Sequence, residues 1–201
     1  RRRTGHLKAP RRLKLSWSAM FKRFNPEEHV SGHSNVKSSV QRGIKARLIE
    51  LYPPIEQILD ELLPKKPPCT MGRMPDHLSI ICHEHAPLFW KDREDIIYPH
   101  LRLLHKYPGL MQTVQVDRGA IPFVLDGANI MCPGLTSEGG DLPDGLQEGD
   151  VVAVHAEGKR HPLAIGRMIM SSDEIRASNK GHGIQVLHHL TDGLWHTTHI
   201  D

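Results

Sequence analysis

The stretch Asp117-Arg118-Gly119-Ala120-Ile121-Pro122-Phe123-Val124-Leu125-Asp126-Gly127-Ala128-Asn129-Ile130-Met131-Cys132-Pro133-Gly134 decides how this chain is read. Ala120, Val124 and Leu125 describe a short amphipathic helical turn, and Asp126-Gly127 is a pair that stops a helix. Strand character follows at 129–131, and Pro133-Gly134 turns the chain again. Gly127, Ala128 and Gly134 have small or absent side chains, so another backbone can come close. Asn129 carries two donors and an acceptor in one plane, a match for a base or ribose edge. The same amide can instead satisfy backbone groups at the turn, a common role of Asn.

Downstream, β-rich runs recur at 114–116, 129–131, 151–155, 163–170 and 184–190, separated by turn residues, which suits a small barrel. Ser172-Asp173-Glu174-Ile175 reads as one capped helical turn. Upstream the texture differs. Val36, Val40, Ile44, Leu48 and Leu51 fall at helical steps after Asn35, a candidate N-cap. Pro53-Pro54 breaks that helix and starts another, with Ile55, Ile58, Leu59 and Leu62 on one face. Residues 77–81 and 88–90 read as a hairpin with its turn at 83–87. A third helix is predicted over Leu101–Lys106, ended by Tyr107-Pro108-Gly109. The Val36 to Leu51 stripe and Leu103-Leu104 are expected in the core. The division is an α/β unit over 20–110, then a β unit over 111–200.

The chain has 201 residues and a formal net charge of +3. That charge is unevenly spread. Residues 1–19 hold seven of the 26 basic residues and no acid, so the remainder carries 19 basic against 23 acidic residues, a net of −4. We read 1–19 as a disordered basic extension, with Met20 placed where a compact protein can begin. Its Arg-rich, acid-poor composition also fits a transit peptide, though Ser is sparse. The three cysteines, Cys69, Cys82 and Cys132, are odd in number and form no framework, which favours free thiols in a reducing compartment. No apolar run reaches the length of a membrane span.

The order Gly127 to Gly134, then Glu148-Gly149-Asp150, Val151-Val152-Ala153-Val154 and Pro162-Leu163-Ala164-Ile165-Gly166 resembles a PUA domain, a small RNA-binding β-barrel. A wider set of strings resembles the malignant T-cell amplified sequence family. They are Met20-Phe21-Lys22, Gly43-Ile44-Lys45, Pro64-Lys65-Lys66, Tyr98-Pro99 with Leu101-Arg102-Leu103-Leu104-His105-Lys106-Tyr107-Pro108, Gly127 through Ser137, Asn179-Lys180-Gly181 and Asp192-Gly193-Leu194-Trp195-His196. The resemblance implies an α+β chain with an N-terminal pre-PUA domain and a C-terminal PUA β-barrel. It implies a cytoplasmic, non-enzymatic translation factor without a cofactor, paired with density-regulated protein and bound to the small ribosomal subunit. The pair is similar to a two-chain form of ligatin. It would release or place tRNA after termination and so support recycling and re-initiation, with the PUA domain at the tRNA acceptor end. Two departures limit what carries over. The family's Cys-His-Glu-His string before the first hairpin strand is replaced by Met74-Pro75-Asp76-His77. Glu138 follows Ser137, so regulation by Pro-directed phosphorylation does not carry over.

The expected RNA cleft comprises Arg118, Gly127, Ala128, Asn129, Met131, Pro133 and Gly134, with Lys159 and Arg167 as further charges. Residues 117–201 carry six basic against twelve acidic residues. Affinity for free RNA comes mainly from neutralised phosphates, so this half must read RNA by shape and hydrogen bonds. Lys65, Lys66, Arg102 and Lys106 lie in the half with net charge +2 and are the candidates for ribosomal phosphates; a solvated face is the plainer reading of the same charges. Cys82, His83 and His85 have zinc-ligand chemistry but lack a second ligand pair, so no metal is expected. The alternatives are an RNA-modification enzyme or accessory subunit carrying a PUA domain, and an interaction scaffold that binds no RNA. No P-loop, dinucleotide fingerprint or activated nucleophile supports catalysis.

Overall fold

The hairpin at 79–91 organises the first half. In the computed structural model, which describes residues 17–201, helices α1 (Trp17–Lys22) and α2 (Pro26–His29) lead into strand β1 (Ser31–Asn35) and the long helix α3 (Ser38–Leu51). A 3-10 turn at Pro53–Gln57 and helix α4 (Leu59–Leu62) follow. Strands β2 (Thr70–Arg73), β3 (Ser79–His83), β4 (Ala86–Lys91) and β5 (Ile97–Pro99) complete an antiparallel sheet in the order β1-β2-β3-β4-β5. Helix α5 (Leu101–Lys106) has the predicted bounds, and the His100 side chain caps it by accepting from the Arg102 amide.

The second half holds β6 (Thr113–Val116), α6 (Ile121–Leu125), β7 (Ile130–Met131), α7 (Pro133–Thr136), β8 (Val151–Ala156), β9 (Pro162–Met168), α8 (Ser172–Ser178), β10 (His182–His189) and α9 (Gly193–His196). Its sheet runs β6-β8-β9-β10-β7, with β6 parallel to β8 and the other pairs antiparallel. The sheet curls into a half-barrel, and the Asp117 amide donates to the Gly134 carbonyl at 3.0 Å, tying β6 to the start of α7. Ser171 and Glu174 form a reciprocal capping box at α8, satisfying amides that a helix start leaves free.

Several expectations change. Helix α3 starts at Ser38, because Asn35 and Val36 belong to the end of β1 and the link after it. Ile44 and Leu48 are buried as expected, but Val40 is 48% exposed. Gln41 takes the buried place, its amide donating to the carbonyls of Leu63 and Pro64. His77 lies in a 3-10 turn before β3, and the hairpin turn is the two residues Glu84 and His85, both at positive φ, the conformation tight hairpins favour. Residues 17–19, placed by composition in the disordered extension, are helical in α1; residues 1–16 of that segment lie outside the described residues.

Every residue of β9 is buried, because both faces of the second sheet are covered. One face packs on the half-barrel core of Val116, Val154, Ile184 and Val186. The other meets the first domain, where Ala153 and Ile165 join Leu48, Ile81 and Leu104. Helix α1 closes the seam: the buried Phe21 ring lies 5.0 Å from Trp90 on β4 and 6.2 Å from His188 on β10. The seam also holds polar groups. His188 Nδ1 lies 2.7 Å from Asp192 Oδ2, and Asp192 accepts from the amides of His189 and Trp195. Burial alone would raise the Asp192 carboxyl, but His188 and these hydrogen bonds outweigh it and hold the group below its ordinary value. His100 accepts from the Arg102 amide at Nδ1 and meets the Leu194 carbonyl from Nε2 at 3.0 Å.

Burial, and next the neighbouring His188, push His100 down from 6.5 to about 3. The folded chain therefore refuses a proton that the unfolded chain accepts, and stability falls as pH drops from about 6.5 toward 3, by at most about 1.4 kcal/mol per pH unit for one group. Asp192, with a lowered carboxyl, adds loss of the same sign at the acid end. Urea midpoints at pH 7 and pH 5 should differ in the wild type, and the difference should shrink in His100→Gln, which cannot titrate; an unchanged pH slope in that variant would remove His100 from the seam's pH response.

Candidate nucleic-acid interface

Helix α6 is five residues long and buries Val124. Phe123 therefore points off the packed face and is 66% exposed. Gly127 at φ +83° ends the helix, in the left-handed region that Gly occupies without penalty. The chain then runs as β7 against β10, pairing Met131 with His182. Met131 is 54% exposed. Close packing of α7 on α6 needs Gly134: a Cβ there would lie 3.1 Å from the Ala120 Cβ. The result is an open groove of about 360 Å³ between α6 and β7, floored by Ala128, Ile130 and Gly134 and flanked by Phe123, Met131 and His182.

Of the residues expected in the cleft, Ala128, Asn129, Met131, Pro133 and Gly134 line this groove. The Asn129 Oδ1 accepts from the Val186 amide at 3.2 Å, so its oxygen holds β10 and its NH₂ is the group able to donate to a ligand. The oxygen thus takes the backbone role that a turn Asn often has. Arg118 stands at the rim between the lining residues Asp117 and Gly119. It is 82% exposed, with its Nε 3.6 Å from Glu157.

Three residues fall elsewhere. Gly127 faces β10, where a Cβ would come within 2.8 Å of His189 Nε2. Lys159 lines a separate recess with His105, Ile121 and Leu163. Arg167 is only 8% exposed, because β9 is covered on both faces; it pairs across the sheet with Val151 and Gln185 and cannot reach the groove. Phe123 and His182 were not expected. The helical period around Val124 puts Phe123 on the opposite face, a readable signal. His182 arrives only through the β10–β7 pairing, which no local pattern marks.

In the first domain, Lys65 and Lys66 are exposed just after α4, and Lys106 reaches α4 through Glu61 at 3.0 Å. These three share one side of the domain. Arg102 is committed differently. Its Nε and Nη2 donate to the Trp195 carbonyl at 3.0 and 2.9 Å, and its guanidinium sits 4.3 Å from the Trp195 ring centre. It clasps the two domains together. Cys82 is buried, and burial pushes its thiol up to about 12, while His83 and His85 lie toward and in the exposed turn. Those three do not converge on a metal. Cys69, Cys82 and Cys132 are free thiols. No helix among the described residues is long and apolar enough to cross a membrane.

Two five-stranded sheets joined through a shared seam, the second a half-barrel bearing an apolar groove at its rim, define a two-domain PUA protein. The Pre-PUA-like domain family matches residues 24–108, and the PUA domain family matches residues 112–190. "Malignant T-cell-amplified sequence 1-B" of Xenopus laevis is 51% identical over 177 residues, 88% of this chain and 97% of that protein. "Translation machinery-associated protein 20" of Saccharomyces cerevisiae is 49% identical over 178 residues, again 88% and 97%. A hypothetical protein of Pyrococcus horikoshii has a similar structure, with a TM-score of 0.68 at 29% identity over 83% of this chain and 99% of that one. The chain belongs to the malignant T-cell-amplified sequence family. It is an α+β protein, a pre-PUA domain followed by a PUA domain.

The clasp separates Arg102 from its basic neighbours in a measurable way. Arg102→Ala should lower stability by about 1 kcal/mol, since it removes a cation–π interaction and a forked hydrogen bond at a partly exposed site. Lys65→Ala and Lys66→Ala should stay within about 0.5 kcal/mol of wild type, as surface changes usually do. Urea denaturation compares them, and equal midpoints for all three would leave Arg102 without a structural role.

Proposed function

We propose that this protein is a non-enzymatic, RNA-binding translation factor whose PUA groove takes an RNA 3′ end, most specifically a tRNA acceptor end. One observation carries the reading: a groove with small-residue walls flanked by an exposed Phe123 and an exposed Met131. Unpaired bases stack on aromatic and apolar side chains, at about 1–3 kcal/mol per base. A strand end can thread where a duplex cannot. The acidic balance of this half and the pairing of Arg118 with Glu157 leave little electrostatic pull, so shape and stacking supply the affinity. The name of the yeast relative supports the translation setting. The same reading puts density-regulated protein and the small ribosomal subunit among the partners, with Lys65, Lys66 and Lys106 against ribosomal phosphates. It also puts the protein in the cytoplasm, where it promotes tRNA release and re-initiation.

Because shape outweighs charge, Ala128→Trp and Phe123→Ala should each reduce release of deacylated tRNA from small subunits about tenfold or more. Arg118→Ala should cost no more than about threefold, about 0.65 kcal/mol for one screened phosphate interaction. The assay is a reconstituted recycling reaction with variants of wild-type circular dichroism. Full activity of a folded Ala128→Trp protein would overturn the groove and favour a scaffold that binds no RNA.

The basic face is tested separately. Replacing Lys65, Lys66 and Lys106 together by Ala should weaken co-sedimentation with small subunits. It should also reduce the slope of log affinity against log salt by roughly 0.7–0.9 for each phosphate no longer neutralised. Unchanged binding across salt concentrations would move the ribosomal interface to another face.

A further inference from the structure

The segment after α9 returns to the hairpin turn of the first domain. The Ile200 amide donates to the His85 carbonyl at 2.9 Å, and His85 Nδ1 lies 3.1 Å from the Ile200 carbonyl. This backbone tie brings three side chains together. The His85 and His199 rings stack with centres 4.7 Å apart. His199 Nε2 lies 2.8 Å from Asp201 Oδ1, and His85 Nδ1 lies 3.8 Å from the same oxygen. One ligand atom from each residue falls within 4.8 Å of the others. A third imidazole is close. His33 on β1 is near enough for the His85 charge and the Asp201 backbone to act on it, and its Nε2 is buried without a hydrogen-bond partner among the described residues.

We propose that His85, His199 and Asp201, with His33 as fourth ligand, form a surface site for a zinc-type divalent cation. Imidazole and carboxylate are both zinc ligands, at bond lengths of about 2.0–2.2 Å, and three imidazoles with one carboxylate exclude the hard, oxygen-seeking calcium and magnesium. Tetrahedral ligand atoms then stand about 3.3 Å apart. The ligand atoms of His85, His199 and Asp201, already within 4.8 Å of one another on exposed side chains, can approach that spacing by side-chain rotation. The ligands come from β1, the β3–β4 turn and the segment after α9, so the cation would staple that segment to the first domain. The site is remote in sequence and in the fold from the groove between α6 and β7, and does not depend on the RNA reading.

The test uses the full chain without a polyhistidine tag, titrated with Zn²⁺ by calorimetry at pH 7.5. It is repeated with Co²⁺, whose visible spectrum reports tetrahedral nitrogen–oxygen coordination. One saturable equivalent is expected, with affinity lowered at least about tenfold in His85→Ala and in His199→Ala, the loss of one of four ligands. His161→Ala, an exposed histidine beside the Lys159 recess, serves as the control for scattered imidazole binding and should match wild type. Zn²⁺ should raise the melting temperature of the wild type and leave that of His199→Ala unchanged. Wild-type affinity in both His85→Ala and His199→Ala, or no saturable equivalent in the wild type, would overturn the site.

Discussion

Removing the outer face of the second sheet from water is the constraint on which the rest of the structure depends. With β9 covered on both sides, neither domain has a complete core without the other. The seam must then accommodate groups that are costly to bury. The pairing of His188 with Asp192, and of His100 with backbone groups at both ring nitrogens, meets that need with local partners. A buried charge left without them would cost several kcal/mol. Phe21 fills the remaining space from a helix that precedes both sheets, so α1 completes the joint between the two halves.

This burial also explains where the groove lies. The sheet faces are occupied, and the open apolar surface is found at the rim, where α6 and β7 leave Phe123 and Met131 uncovered. Isolated exposed apolar residues are ordinary, but several converging on one concave face mark a binding surface. The acidic character of the half and the apolar character of the groove agree with each other. Selection of a strand end by fit needs little of the phosphate attraction that would also hold RNA nonspecifically.

Local signals in the sequence were legible where one element satisfied itself. Leu101–Lys106 has clear breakers on both sides, and the strands near 114 and 151 are apolar runs bounded by turns. Ser31–Asn35, Thr70–Arg73 and Ile97–Pro99 escaped, because the first is wholly polar and at a sheet edge, and the others are three or four residues long with their pattern set by neighbours. Val40 shows the converse: helical spacing placed it inside, but Gln41 reaches two carbonyls beyond α4 and takes its position. In the groove, the small residues and Asn129 were legible as turn chemistry. Arg167 was not, because a positive charge in a strand gives no sign of which face another domain will cover. Arg102 read as a cation for ribosomal phosphates, and no local pattern marked its clasp, its partner Trp195 lying far along the chain.

The clasp of Arg102 on Trp195 has a mechanical side. It joins the first turn of α5 to helix α9, across a seam already filled by Phe21. Two halves locked at a shared core, a helix and a clasp cannot swing like beads on a string; they move as one body. Anything held in the groove is then held at a set span and angle from anything that grips the α4–α5 side. On the proposed function, a protein built this way would act as a gauge, tolerating one geometry between groove and basic side and rejecting the rest.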